Sequence, residues 1–390
     1  MPPFLSEADR YFQSKLEERK STHLFRTWGP ERDFSKTDFY SNDYLGLAKN
    51  QRSQDRLIEI LKNQPFIPNG SSGSRLVSGQ SQLLEELEAL CCIFFNGEAA
   101  VFLPNGYLAN LALLSCIATR HDTIIYDEQS HVSLKDGIRL SLAQKFSFKH
   151  NDLEDLKLKL SRAKGKIFII VEAIYSMDGD ICPIQDLMEV SNSFQAHLII
   201  DEAHSTGVLG LGGQGLAIEK GLESQVWARV YTFGKAFGSA GAVLIVNKIT
   251  KQYLINRSHP VIYSTAALPL QVLLAKVQLE ALIADSSPIQ KLQDNIGHWC
   301  HKMTQNSRKG LSMNLKSPVQ FILIPGNEAA LNAARRLNSI DFQVKAMLSP
   351  TVSPGAERLR ISLHSYNTTD EIDNLLAECA NELDNRLLDQ

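Results

Sequence analysis

Residues 197–204 read HLIIDEAH, an apolar run that ends in two acids and a histidine. A similar run, IFIIVE, occupies residues 167–172 and also ends in an acid. Continuous runs of Val, Ile, Leu and Phe are typical of parallel strands that helices cover on both faces. The two segments therefore predict the centre of an open α/β sheet, with polar residues at the carboxyl ends of its strands, where such sheets bind ligands.

Further strands are indicated on both sides of this centre, with helix-period segments between them. Alternation of strands and helices predicts an α/β domain with a mostly parallel, seven-stranded sheet. The five additional strands are predicted at Ala99–Leu103, Thr123–Tyr126, Gln144–Phe148, Arg229–Thr232 and Ala242–Val246.

The flanking regions follow other patterns. Helical spacing predicts an N-terminal helix over residues 5–22, and a short extended piece begins at Asp38. A long helical region, Leu268–Ser307, precedes a small α+β region with strands at Val319–Ile324, Phe342–Lys345 and Arg358–Leu363 and helices at Glu328–Leu337 and Thr369–Leu388. We therefore expect an N-terminal helix and arm (1–49), a large α/β domain (50–265), and linking helices with a C-terminal α+β domain (266–390).

The composition is that of an ordinary globular protein. The chain has 390 residues, 44% hydrophobic and 21% charged, with a net charge of −3. This balance favours neither nucleic acid nor a membrane as partner. The N-terminal residues lack an apolar signal core, so we expect a cytoplasmic protein. The six cysteines have no zinc-ligand spacing, which predicts reduced, mostly buried thiols and no metal site.

Two polar residues beyond strand ends predict cofactor chemistry. Lys235 lies in TFGKAFG (232–238), where a neighbouring glycine leaves its amine free to reach a planar ring. Asp201 ends HLIID, where a carboxylate could pair with a pyridine nitrogen, as pyridoxal 5′-phosphate (PLP) requires. A solvated lysine and a helix-capping acid are the alternatives. DEAH (201–204) also occurs in helicases, but the chain contains no phosphate-binding GxxxxGK[ST] motif.

The remaining parts of a PLP site also have candidates. Asn105, Gly106 and Tyr107 begin a predicted helix after a strand, a position suited to a phosphate. His131 could stack on the ring, although it could equally be an ordinary helix residue. Arg358 and Arg360, two apart on a strand, could bind a carboxylate or form a solvated pair. The GxGxxG match at 210–215 is read as a loop, because it lies too far beyond its strand to bind a dinucleotide.

In this order the segments resemble the α-oxoamine synthases, fold-type I PLP enzymes related to aspartate aminotransferase. The resemblance runs from Asn42 to the C-terminus. Its motifs are SNDYLGLA (41–48), GSSGSRLVSG (70–79), PNGYLAN (104–110), SHVSL (130–134), EAIYSMDGD (172–180), DEAHSTGVLG (201–210), TFGKAFG (232–238), YSTAALP (263–269) and RLRIS (358–362).

The resemblance implies roles for individual residues. Lys235 would carry PLP as a Schiff base and act in catalysis with Asp201, His131 and His204. Asn42, Ser74, Arg360 and Arg26 would bind substrate, with Arg358 less favoured. The implied cofactor-binding residues are Lys235, Asn105, Gly106, Tyr107, His131, Glu172, Ser176, Asp201, His204, Thr232, Ser264 and Thr265. Ser264 and Thr265 would reach the phosphate of a neighbouring subunit, which implies a homodimer.

The implied reaction is the decarboxylative condensation of L-alanine with a pimeloyl thioester, giving 8-amino-7-oxononanoate, CoA and CO2 for biotin synthesis. Glycine or serine with another acyl-CoA is the alternative within the family. An aminotransferase and a PLP-binding protein without catalysis are the alternatives outside it. The sequence leaves open whether CoA or a carrier protein bears the acyl group. Leu348 stands where many relatives have an arginine, so the residue that holds the far end of the acyl donor is open.

Overall fold

Twelve strands form three sheets in the computed structural model, which describes residues 5–28, 33, 35–63, 66–306 and 312–388. The strands, in chain order, are β1 (Thr37–Asp38), β2 (Ala99–Leu103), β3 (Thr123–Asp127), β4 (Gln144–Phe148), β5 (Ile167–Glu172), β6 (His197–Asp201), β7 (Ala228–Thr232), β8 (Ala242–Val246), β9 (Val319–Leu323), β10 (Phe342–Gln343), β11 (Lys345–Met347) and β12 (Arg358–Ser362).

The central sheet has seven strands in the order β2-β8-β7-β6-β5-β3-β4. Strand β8 is antiparallel to both of its neighbours, and the other strands are parallel to one another. The predicted mostly parallel sheet is therefore confirmed. In its register, Glu172 at the end of β5 lies directly opposite Asp201 at the end of β6. The two acids that end β5 and β6 are thus neighbours at one edge of the sheet.

Helices cover both faces of this sheet. The helices of the described chain are α1 (Glu7–Ser21), α2 (Gln51–Asn63), α3 (Gln82–Phe94), α4 (Gly106–Leu114), α5 (Val132–Leu140), α6 (Leu153–Leu160), α7 (Ile184–Ser193), α8 (Leu216–Glu219), α9 (Lys248–Arg257), α10 (His259–Tyr263), α11 (Pro269–Ala284), α12 (Ser287–Asn306), α13 (Asn327–Ser339) and α14 (Thr369–Leu388).

The central strands are apolar throughout because both of their faces are buried. Ile169 and Val171 belong to one hydrophobic cluster, whereas Phe168 and Ile170, on the alternate positions, belong to the cluster on the opposite face. All four side chains are at most 2% exposed. This double burial explains why the strand shows no alternation of polar and apolar residues.

The C-terminal region corrects one predicted strand. The run Phe342–Lys345 was predicted as one strand, but β10 pairs with β1 and β11 pairs with β12, in different sheets. Val344, between them, hydrogen-bonds through its N–H and its carbonyl to the side chain of Asn338. The region Leu268–Ser307 likewise contains two helices, α11 and α12, and Ser307 lies outside the described residues. The proposed domain boundaries at residues 49 and 265 stay predictions.

The N-terminal helix was predicted over residues 5–22 and extends from Glu7 to Ser21, with no buried residue. Ser6 and Asp9 form a reciprocal capping box at its start. None of the described helices has the length and apolar character needed to cross a membrane. None of the six cysteines forms a disulfide within the described residues.

Candidate active site

One cavity of about 1380 Å³ opens at the carboxyl ends of the central strands. It lies where the N-terminal segment, the sheet and the C-terminal region meet, because residues of all three line it. Thirteen of the predicted site residues line this cavity: Arg26, Asn42, Asn105, Gly106, Tyr107, His131, Glu172, Ser176, Asp201, His204, Thr232, Lys235 and Arg360.

Lys235 reaches the cavity from a tight turn after β7. Phe233 and Phe237 on either side are fully buried and stack with ring centroids 4.9 Å apart. The backbone N–H of Gly238 donates to the carbonyl of Lys235 at 2.8 Å. Gly238 has φ +57°, and a Cβ there would lie 2.0 Å from the backbone nitrogen of Ala48. Only glycine fits this position, so the packing of the turn fixes where the lysine side chain starts.

Asp201 is held by two hydrogen bonds at the cavity floor. Its Oδ1 accepts from the backbone N–H of Ala203 at 2.9 Å, and its Oδ2 accepts from the side-chain amide of Asn110 at 2.8 Å. The same amide donates to Ser133 at 3.0 Å. Asp201 is 6% exposed, so these bonds fix the orientation of a carboxylate with little water around it.

Burial and neighbouring charges shift the acid–base properties of Lys235 and Glu172. Burial lowers the pKa of Lys235 to about 8, while the charges of Asp201 and Glu172 oppose the shift. Burial, together with the charge of Asp201, raises the pKa of Glu172 to about 8. An amine in this range gives up its proton near neutral pH, as a general base requires.

Two histidines lie close to Lys235. His204 is buried, and its Nδ1 lies 2.7 Å from the hydroxyl of Tyr44. Burial and the charges of Lys235 and Arg360 hold the pKa of His204 well below its usual value, so its ring is neutral. His131 caps the start of α5, and its Nδ1 lies 2.7 Å from the Ser133 hydroxyl. Partial desolvation also lowers the pKa of His131, which disfavours a positive charge on this ring as well.

The start of α4, which was predicted to bind phosphate, lines the cavity. Asn105 caps the helix by accepting from the backbone N–H of Leu108 at 2.8 Å. A Cβ on Gly106 would lie 2.7 Å from Cγ2 of Thr232, so a side chain at this position would crowd Thr232. The hydroxyl of Tyr107 donates to Asp136. Asn105, Gly106 and Tyr107 thus line the cavity at a helix start, where backbone N–H groups can bind an anion.

The two arginines of RLRIS occupy different surroundings. Arg360 donates from Nε to the carbonyl of Ser176 at 2.8 Å and from Nη2 to Oδ1 of Asn42 at 3.0 Å, and it lines the cavity. Arg358 instead pairs with Asp178 and lies over the ring of Phe321, 4.4 Å from its centroid. Of the two, Arg360 lines the cavity and Arg358 does not.

The cavity fits PLP in one respect that the structure shows directly. Within the described residues, no hydrogen bond or ion pair joins the Lys235 amine to another side chain, although carboxylates lie nearby. An enclosed amine without a partner is suited to a covalent bond with an aldehyde. Among the described residues, no cluster of three or more His, Cys, Asp or Glu side chains could hold a metal ion.

Comparison with known proteins identifies the family. A profile of aminotransferase classes I and II matches residues 35–378. 8-Amino-7-oxononanoate synthase of Emericella nidulans is 34% identical, over 96% of this chain and 94% of that protein. A putative 8-amino-7-oxononanoate synthase of Desulforudis audaxviator is 35% identical, over 92% of this chain and 93% of that protein. The chain belongs to the α-oxoamine synthases within the aminotransferase class I and II family.

Solved structures confirm the fold of this α-oxoamine synthase. The crystal structure of 8-amino-7-oxononanoate synthase from Francisella tularensis has a TM-score of 0.77 at 30% identity, covering 91% of this chain and all of that one. Serine palmitoyltransferase from S. paucimobilis, solved with bound PLP, has a TM-score of 0.87 at 22% identity, covering 97% and 98% of the two chains. The predicted fold-type I architecture is therefore confirmed.

Three predicted residues do not line the cavity of this α-oxoamine synthase. The carbonyl of Ser74 accepts from the backbone N–H groups of residues 77–79, the hydroxyl of Ser264 donates to the carbonyl of Pro260, and Thr265 is exposed. Their two segments meet, since Ala266 N–H donates to the carbonyl of Gly73 at 3.0 Å. A contribution from these residues to a partner subunit's site stays a prediction.

Two residues of the site were not singled out from the sequence. The hydroxyl of Tyr44 contacts His204 and also lies 3.3 Å from Nη2 of Arg360. Asn110 holds Asp201. Both belong to segments quoted for the family resemblance, SNDYLGLA and PNGYLAN, so motif membership was the available signal. Their roles depend on contacts with distant parts of the chain, which the motifs do not specify.

Proposed function

We propose that this protein condenses L-alanine with a pimeloyl thioester and releases CO2 and the free thiol, giving 8-amino-7-oxononanoate. The main observation that supports this proposal is that one cavity is lined by Lys235, Asp201, His131 and Arg360. Relatives of 34% and 35% identity, matched over more than nine-tenths of the chain, carry the name of this synthase. We place the enzyme in biotin biosynthesis on the same grounds.

Lys235, the start of α4 and Asp201 would hold PLP. Lys235 would supply the amine for covalent attachment, the N–H groups of Asn105–Tyr107 and the Thr232 hydroxyl would receive the phosphate, and Asp201 would pair with the pyridine nitrogen. PLP supplies an electron sink that stabilises negative charge on the Cα of the bound amino acid. His131 would cover one face of the ring.

The protein's own groups bind the amino acid and move its proton. Arg360, with Asn42 beside it, binds the alanine carboxylate by a charge-assisted contact. The Lys235 amine takes the Cα proton, because its lowered pKa leaves it partly uncharged at neutral pH. A carbon–carbon bond then forms between this Cα and the thioester carbonyl, and the thiolate leaves. The former alanine carboxylate then leaves as CO2, and one proton returns to Cα. These two steps complete the reaction.

We propose that the active unit is a homodimer in the cytoplasm. Large apolar side chains are exposed beside Ser74 and Thr265: Leu76 (53%), Val77 (83%), Tyr263 (76%) and Leu268 (52%). Exposed apolar side chains on two segments that contact each other favour a subunit interface. Six cysteines with no disulfide among the described residues are consistent with a reducing compartment.

Purified protein supplied with PLP, alanine and pimeloyl-CoA tests the proposal. We expect free CoA, CO2 and 8-amino-7-oxononanoate in equal amounts, measured by thiol release, carbon dioxide evolution and mass spectrometry. Replacing alanine by glycine or serine, and the donor by other acyl-CoAs, identifies an alternative synthase. Pyruvate formed from alanine and a keto acid without any thioester would instead identify an aminotransferase.

The variant Lys235→Ala tests the role assigned to Lys235. It should lose the near-visible absorption of the attached cofactor together with all but a trace of turnover. Retention of both would reject the assignment of Lys235.

For the dimer, mixing inactive Lys235→Ala with an inactive Thr265→Tyr variant should restore activity if each site uses residues of both subunits.

A further inference from the structure

The outer part of the cavity carries unmatched positive charge. Glu172 and Asp201 are the acids among the residues that line the cavity, and both lie at the sheet edge. Arg26, Arg335 and Lys345 line it as well, and within the described residues no ion pair joins any of the three to a carboxylate. Two anions are already accounted for, since Arg360 takes the amino-acid carboxylate and α4 takes the cofactor phosphate. The surplus cations therefore indicate a third anion.

Lys345 is positioned by strand register. It lies directly opposite Arg360 on the antiparallel strands β11 and β12. Residues directly opposite in this way project from the same face of a sheet, with Cβ atoms roughly 5 Å apart. The amine of Lys345 lies over the ring of Tyr40, 5.6 Å from its centroid, at the cavity mouth. Lys345 thus extends the positively charged surface outward from Arg360.

Arg335 approaches from the neighbouring helix. On α13, Leu331, Ala334, Arg335 and Asn338 line the cavity, at spacings that place them on one helix face. Asn338 hydrogen-bonds both backbone groups of Val344, at 2.9 and 3.1 Å. This double contact joins the last turn of α13 to the residue before β11, so the two cations belong to one packed unit.

Apolar side chains lie near these cations. Leu331, Ala334, Met347 and Leu348 line the same part of the cavity, and Leu348 also packs against the main hydrophobic core. Apolar walls suit the methylene groups of an acyl chain, and cations suit an anionic group at its end. Lys345 and Arg335 therefore bring cations to the same α13 and β11 segments that supply Leu331, Ala334 and Met347.

We propose that Lys345 and Arg335 form an anion subsite in the cavity. This subsite binds the acyl donor and selects donors that carry an anionic group within reach of the two cations. The proposal rests on the proposed function, because it assumes a thioester donor. A carboxylate at the end of the acyl chain and a phosphate of the thiol carrier share the required chemistry.

Three thioesters distinguish these sources: pimeloyl-CoA, heptanoyl-CoA, which lacks the terminal carboxylate, and the pimeloyl thioester of N-acetylcysteamine, which lacks phosphate. For Lys345→Met combined with Arg335→Gln, we expect the KM for pimeloyl-CoA to rise about 10-fold or more, with kcat little changed. If the N-acetylcysteamine thioester is affected equally and heptanoyl-CoA is not, the anion is the carboxylate. The reverse pattern identifies a carrier phosphate.

Controls separate the subsite from general effects. Lys345→Arg keeps the charge and should keep most of the affinity, and Lys291→Met, an exposed lysine of α12 outside the cavity lining, should change nothing. Unchanged KM values for all three donors, or an equal loss for all three, would overturn the subsite. Wild-type protein that releases no thiol from any donor would instead reject the proposed function, so the two failures are distinguishable.

Discussion

The side-chain amide of Asn110, in the middle of α4, donates a 2.8 Å hydrogen bond to Oδ2 of Asp201 at the end of β6. The same amide contacts Ser133, which lies 2.7 Å from the ring of His131. One buried amide thereby connects the acid proposed for the pyridine nitrogen with the ring proposed to cover the cofactor. Asn110 is a positioning residue, because it acts through both of these groups.

Replacing Asn110 by Ala should lower kcat about 10- to 100-fold, because a hydrogen bond to a buried charge is lost. The KM for alanine should change little, since Arg360 is untouched. Steady-state kinetics measure both, and absorption spectra report whether the cofactor is still attached. Asn192→Ala, an exposed asparagine on α7, is the control. A kcat within twofold of wild type would show that Asp201 needs no such support.

Two substitutions test whether the proposed phosphate site requires a glycine at position 106, because one introduces a steric clash with Thr232 and the other removes it. Gly106→Ala would place a Cβ 2.7 Å from Cγ2 of Thr232, so we expect PLP to bind about 10-fold more weakly. Adding Thr232→Ser removes that methyl group and keeps the hydroxyl, and it should restore part of the affinity. Titration of cofactor-free protein with PLP measures the dissociation constants. Purely additive losses in the double variant would contradict this explanation.

The two arginines of β12 should differ in the property they affect. Arg360→Gln should raise the KM for alanine by about 100-fold while the cofactor stays bound, because the carboxylate loses its charged partner. Arg358→Gln should leave that KM unchanged and lower stability by about 3 kcal/mol, because Asp178 loses its ion-pair partner. Kinetics and denaturant unfolding separate the two effects, and an exchange of the two phenotypes would reverse the assignment.

His150 predicts how stability depends on pH. Burial opposes its charge, but hydrogen bonds to Asp127 and Asp180 raise the pKa of His150 to about 10. Because the pKa of His150 is higher in the folded state, protonated His150 stabilises the folded protein. This stabilisation is complete at pH values below the unfolded pKa of about 6.5, and it is lost as pH rises through about 10. We expect Tm to fall over that window and the decline to flatten in His150→Gln, but not in the exposed control His121→Gln. Parallel profiles for wild type and His150→Gln would contradict the charged state.

The local pattern of the chain determined the central sheet and most of the cavity residues. Apolar runs such as IFIIVE require burial on both faces, and polar residues at their ends must then gather at one edge of the sheet. Lys235, Asp201 and Glu172 could be named for this reason before any coordinates. The motifs added His131, His204 and Arg360, all of which line the cavity.

Only the tertiary structure decided which side chains contact one another. Tyr44 and His204 are 160 positions apart, and their 2.7 Å contact depends on how the N-terminal segment packs against the sheet. The spacing of Arg358 and Arg360 along the sequence does not distinguish them. In the structure, Arg358 forms an ion pair with Asp178, whereas Arg360 lines the cavity. Periodicity reflects short-range burial along one element. Strand register and ion-pair partners depend on the packing of distant segments, which no local pattern contains.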